Sequence, residues 1–141
     1  MIFLTVSVLA LSFPGCGKKE NTSDRTLRVG IVTYTQDDPF INTMTEQIRE
    51  DLKLKESKDM KILVSVKNGD NDQRDQDELV EEMIAAGCDV LCVNLVDRTA
   101  PSDIIKAARQ EKIPVIFFNR EPVKEDLMQW DQLYYVGCDA K

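Results

Sequence analysis

RVGIVTYTQDDPFINTM, residues 28–44, decides how the rest of the chain is read. Val29 to Thr33 is a β-branched run with Gly30 inside it, and reads as a buried strand. Thr35 to Asp38 is a short polar loop, and Asp38-Pro39 opens a helix. An aspartate cap accepts from free helical N–H groups, and proline at the first helical position lacks an N–H that the helix does not need. A strand that turns directly into a helix is the first half of a βαβ unit. In open parallel sheets, ligands bind beyond the carboxyl ends of such strands. This loop sets two carboxylates, Asp37 and Asp38, beside the ring of Phe40. That combination suits a small polar ligand with an apolar face.

Working outward, the helix from Pro39 carries Ile41, Met44, Ile48 and Leu52 on one stripe. A polar turn, Lys53 to Asp59, precedes a second strand from Met60 to Val66. After the turn-rich loop Lys67 to Gln73, a second helix runs from Arg74 to Ala86, with Leu79, Val80, Met83 and Ile84 inward. Gly87 ends it as a C′ residue. Val90 to Val96, VLCVNLV, is a nearly continuous apolar run of the kind that marks parallel strands covered on both faces. A third helix, Ser102 to Gln110, turns Ile104, Ile105 and Ala108 inward. Pro114 to Asn119 is the fourth strand, Arg120 to Gln129 a polar loop with at most one helical turn, and Leu133 to Gly137 the fifth strand. This alternation predicts an α/β fold: a doubly wound parallel sheet, order 2-1-3-4-5, flanked by helices joined in right-handed crossovers. The switch point then falls between strands one and three, close to both Asp38 and Asn119.

The 141 residues suffice for one domain, and the net charge of −7 argues against a nucleic-acid partner. There is no histidine, which excludes histidine-based triads and histidine-ligated zinc. No glycine-rich phosphate loop follows any strand. The acidic loop with Asn68, Asp70, Asp72 and Asp75 fails as a calcium loop. In the register from Asp70, Arg74 falls on a ligand position and Asp75 replaces the required glycine. It reads as a turn and helix start, and no metal site is expected.

The first fifteen residues, MIFLTVSVLALSFPG, resemble the apolar region of an export signal. Gly15-Cys16 and the polar run after it resemble a bacterial lipoprotein junction, which makes Cys16 the candidate for lipidation. The expected organisation is therefore an export segment (1–15), a polar tether (16–26) and a folded unit (27–141). Cys88 and Cys92 have neither redox nor zinc-knuckle spacing, and Cys92 reads as a small buried hydrophobe. Nothing in the sequence supports or excludes a Cys88–Cys138 pair.

YTQDDPF, NLVD, PVIFFNREP and YYVGCDAK, at strand ends within Leu27 to Lys141, together resemble the periplasmic galactose/glucose-binding family. The resemblance implies an exported, two-lobed binding protein of the type I periplasmic binding fold, not an enzyme. Such proteins close on a hexose and deliver it to an ABC permease, and some also engage a chemoreceptor. It implies that Asp38 is a hydrogen-bonding carboxylate, Asn119 an amide ligand and Phe40 the ring over one sugar face, with Tyr34 lining the site. Pro39 stands where the family usually has asparagine. It further implies that this chain covers only a truncated N-terminal lobe. The second lobe, its sugar ligands and the family's calcium loop would lie elsewhere, so no cofactor is expected here. Localisation would be the periplasm or the outer face of the membrane, with membrane contact only through Cys16. The chemistry of the residues agrees. A carboxylate accepts two hydroxyl hydrogens in charge-assisted bonds, and an amide both donates and accepts.

Blander readings of the same residues are an N-cap for Asp38, core packing for Phe40 and a turn for Asn119. Two rival functions share the strand–helix alternation. One is the effector domain of a LacI-type sugar-responsive repressor. The other is a receiver or flavodoxin-like switch domain that would use Asp37, Asp38 and Asp97.

Overall fold

Local sequence signals place the elements. In the computed structural model, which describes residues 25–138, they follow the expected alternation. They are β1 (Arg25–Thr33), α1 (Pro39–Lys53), β2 (Met60–Asn68), α2 (Gln73–Ala85), β3 (Val90–Val93), α3 (Ser102–Glu111), β4 (Val115–Phe118), α4 (Lys124–Leu127) and β5 (Leu133–Val136). The sheet runs β2-β1-β3-β4-β5 and every neighbouring pair is parallel. The order reverses between β1 and β3, so the carboxyl ends of β1, β3 and β4 share one rim.

The strand boundaries that differ most from the sequence reading are the start of β1 and the end of β3, each for a backbone reason. β1 starts at Arg25, inside the expected tether, because Arg25 and Thr26 pair with Met60 and Lys61. Ladder hydrogen bonds need no apolar side chain, so a polar stretch can extend a strand. β3 leaves the ladder at Val93, although Asn94 and Leu95 are fully buried. Asn94 still donates its N–H to Val32 O (2.9 Å), and its side-chain Nδ2 then bonds Phe118 O (3.1 Å) on β4. A side chain thus takes over from the backbone at the strand end.

The two faces of the sheet are covered by different helices. On one face Val32, Leu91, Val93, Val115 and Phe117 pack against Val80 and Met83 of α2 and Ile104, Ile105 and Ala108 of α3. On the other, Val29, Ile31, Ile62, Cys92 and Phe118 meet Met44, Ile48 and Leu52 of α1. Gly30 lets α2 approach β1, since a Cβ there would lie 3.2 Å from Leu91 and 3.3 Å from Met83 Sδ. Gly87 takes φ +79° after α2, and the turn closes with Cys88 N–H on Met83 O (3.2 Å) and Gly87 N–H on Ile84 O (2.9 Å). That is the Schellman closure expected of a C′ glycine. Asp72 caps α2 by accepting from Arg74 N–H (2.9 Å) and Asp75 N–H (3.2 Å), the helix-start role read for the acidic loop.

The described cysteines are free thiols, with Cys88 and Cys92 buried and Cys138 exposed. Burial pushes the Cys92 thiol up to about 11, as befits a packing residue. Among the described residues no helix is long and apolar enough to cross a membrane. The export-type segment, Cys16 and most of the tether lie outside the described residues, as do Asp139 to Lys141.

Candidate functional site

The site is built from the turn that follows β1. Thr35 is buried and its hydroxyl accepts from Asp37 N–H (3.1 Å). Asn42 on α1 reaches back to donate to Gln36 O (2.6 Å). The loop is thus tied to the helix it opens. Asp38 divides its carboxylate between two tasks. Oδ1 accepts from Phe40 N–H (2.8 Å) and Ile41 N–H (3.4 Å), which is the helix cap. Oδ2 accepts from the Tyr34 hydroxyl (2.7 Å).

Those contacts account for the ionisation of both groups. The Tyr34 hydrogen bond first, then the two cap N–H groups and Arg120, hold the Asp38 carboxyl below its ordinary value against an opposing cost of desolvation. The same hydrogen bond to Asp38 is the main reason that the Tyr34 phenol is raised above its own. Asp38 is therefore a carboxylate and Tyr34 a neutral donor throughout the neutral range. The lowered folded value means that the Asp38 cap is intact above the ordinary aspartate value of about 4 and is lost as the pH falls through the lowered one.

The second part of the site comes from the end of β4. Asn119 takes φ +61°, in the left-handed region where asparagine is among the tolerated residues. Its N–H donates to Val136 O (3.0 Å), its carbonyl accepts from the Tyr135 hydroxyl (3.2 Å), and Arg120 N–H closes on Phe118 O (2.7 Å). This tight turn swings Arg120 back across the rim. Its Nη1 donates to Leu95 O (3.2 Å) and Val96 O (2.9 Å), the carbonyls that leave β3. Its guanidinium carbon sits 3.7 Å above the centroid of the Tyr34 ring. Asp38, Tyr34, Arg120 and Asn119 are therefore linked in sequence by a hydrogen bond, a cation–π contact and a peptide bond. Phe40, placed at the start of α1, is 60% exposed, so its ring faces solvent rather than the core.

A buried amide holds the segment that leaves β3 below this rim. Gln76 of α2 is fully buried; its Nε2 donates to Asn94 O (2.9 Å) and its Oε1 accepts from Val96 N–H (3.0 Å). One turn earlier, Gln73 Oε1 accepts from Asp97 N–H (2.8 Å). The Asp97 carboxylate closes a local turn on Thr99, accepting from its N–H (2.8 Å) and its hydroxyl (2.7 Å). Arg120, Gln76 and Asn94 are residues that the sequence reading had not singled out. Gln76 was legible in part, since it shares the helical spacing of Val80 and Met83.

Residues 29–141 match the family model described as a periplasmic binding protein domain. The chain belongs to the periplasmic binding protein domain family. It is similar to the D-galactose/methyl-galactoside binding periplasmic protein of Haemophilus influenzae, at 34% identity over 81% of this chain and 33% of that protein. It is also similar to the ribose import binding protein of Bacillus subtilis, at 26% identity over 84% of this chain and 39% of that one. Among solved structures, a carbohydrate transporter solute binding protein from Chloroflexus aurantiacus, in complex with D-glucose, superposes with a TM-score of 0.64. It is 28% identical over 82% of this chain and 31% of its own. The binding-domain chain thus spans about a third of the length of the relatives it matches. The parallel sheet order is that of the periplasmic binding protein fold.

Proposed function

We propose that this domain captures a hexose, D-galactose or D-glucose, as one half of an exported solute-binding protein that serves an ABC permease. The observation that carries the reading is the contact chain Asp38–Tyr34–Arg120–Asn119 along one rim of the sheet. Asp38 offers a charged acceptor and the Asn119 amide a donor and an acceptor, the complement of neighbouring sugar hydroxyls. The exposed Phe40 ring supplies a flat surface for the C–H face of a pyranose. The 34% identical relative named for D-galactose and the D-glucose complex of similar fold support the choice of hexose. Binding is reversible and breaks no bond, so no catalytic residue is assigned. Cys16 would carry a lipid anchor at the outer face of the membrane. Labelled palmitate incorporated by a bacterial host, and lost in Cys16→Ser, is the expected result; equal labelling of both would remove the anchor.

The test of the sugar site is an amide-resolved NMR titration of the 141-residue chain with D-galactose, D-glucose and ribose. Hexoses at millimolar concentration are expected to shift the resonances of Asp38, Phe40 and Asn119 while ribose moves them less. The response should be weak, because one rim supplies only part of a sugar's hydrogen-bonding shell. Shifts confined to other surfaces, or none at saturating solubility, would refute the reading.

A further inference from the structure

We propose that Arg120 and Tyr34 are positioning residues: Arg120, pinned to the end of β3, clamps the Tyr34 ring, and the Tyr34 hydroxyl fixes the Asp38 carboxylate before any ligand arrives. The functional consequence rests on the sugar-binding reading above; the positioning itself does not. Three observations carry it. First, the guanidinium is anchored by two backbone carbonyls, at 3.2 and 2.9 Å, in the segment that leaves β3, while Arg120 itself lies in the turn after β4. An arginine so held presents its planar face in one orientation, and that face lies 3.7 Å from the Tyr34 centroid. Planar stacking of this kind is specific to arginine, and lysine does not reproduce it. Second, the phenol reached through that stack donates to Asp38 Oδ2 at 2.7 Å, while Oδ1 is already engaged by the helix cap. Both oxygens are therefore oriented, one by α1 and one by Tyr34, and the remaining lone pairs have a fixed direction. Third, the segments that meet here are sequence-distant: the loop after β1 supplies Tyr34 and the Asp38 cap of α1, the segment after β3 supplies the carbonyls and the turn after β4 supplies Arg120. The clamp thus couples the loops after three strands into one platform. Orientation fixed in advance lowers the ordering cost that a ligand otherwise bears on binding.

The groups acting on the Asp38 carboxyl are the Tyr34 hydroxyl, the N–H groups of Phe40 and Ile41, and Arg120, and this set makes its ionisation a direct gauge of the clamp. The experiment follows the Asp38 side-chain carboxyl carbon by NMR as a function of pH in the 141-residue chain and in two variants. Tyr34→Phe keeps the ring beneath Arg120 and removes only the hydroxyl. Arg120→Leu removes the clamp and leaves the hydroxyl. In Tyr34→Phe the Asp38 midpoint is expected to rise into the ordinary aspartate range. In Arg120→Leu it is expected to rise partway, and the Tyr34 ring resonances should lose their ring-orientation dispersion. Hexose shifts at Asp38 should saturate at severalfold higher sugar in both variants. An Asp38 midpoint unchanged in Tyr34→Phe, or a Tyr34 ring equally ordered in Arg120→Leu, would overturn the proposal whether or not sugar binds. Midpoints that move as expected in a chain without hexose response would sustain the clamp and defeat the sugar reading instead.

Discussion

Replacing Gln76 with leucine is expected to lower the unfolding free energy by about 2–4 kcal/mol, with the buried Asn94 C=O and the part-buried Val96 N–H left without partners. Leucine fills much the same space, so the loss measures unmet hydrogen bonding more than a cavity. Urea unfolding with an unchanged denaturant slope would read the stability, and hydrogen exchange at the Val96 amide would locate the damage. Exchange there should accelerate before exchange in the centre of β1, because Gln76 acts where β3 has already left the ladder. A change below about 0.5 kcal/mol, the scale of an ordinary surface substitution, would show that the amide is dispensable.

Asp38 has the largest expected effect on ligand capture. In Asp38→Ala both the cap acceptor Oδ1 and the Tyr34 partner Oδ2, the acceptor proposed for the ligand, disappear. Hexose response should weaken by about a hundredfold, through the loss of a charge-assisted bond together with the cap that holds the loop, and α1 should fray at its first turn. Asp38→Asn separates the two roles. Asparagine caps helices as well as aspartate does, so α1 should stay intact. The hexose response should still fall about tenfold, as a neutral amide replaces a charged acceptor. Equal hexose binding in Asp38→Asn and the parent chain would leave Asp38 as a cap alone.

These two residues mark the boundary of what the sequence made legible. Asp38 announced itself through local chemistry: an aspartate before a proline, after a β-branched run, at a helix start. Gly87 did so as well, and the alternation of apolar runs was enough for the sheet order. Asn119 was visible as a polar residue closing an apolar strand, but its left-handed backbone was not. Arg120 gave no local signal, because its partners are carbonyls 24 and 25 residues away and an aromatic ring on another loop. Gln76 shared the inner spacing of its helix, but its role was hidden for the same reason; a polar residue on that stripe is intelligible only when the strand end that it satisfies is known. The early start of β1 was invisible because backbone pairing with β2 needs no side-chain pattern. What periodicity and capping govern could be read; what a distant backbone group governs could not.

The arrangement of thiols has a practical corollary. Cys88 and Cys92 are buried, and Cys138 is exposed two residues beyond β5, whose Val136 carbonyl receives the Asn119 N–H. In a chain with Cys16 replaced, a maleimide dye would therefore react at one accessible position, two residues from the partner of Asn119, the amide proposed to meet the sugar. If the domain takes up sugar as proposed, that thiol is a native attachment point for a reagentless optical sensor.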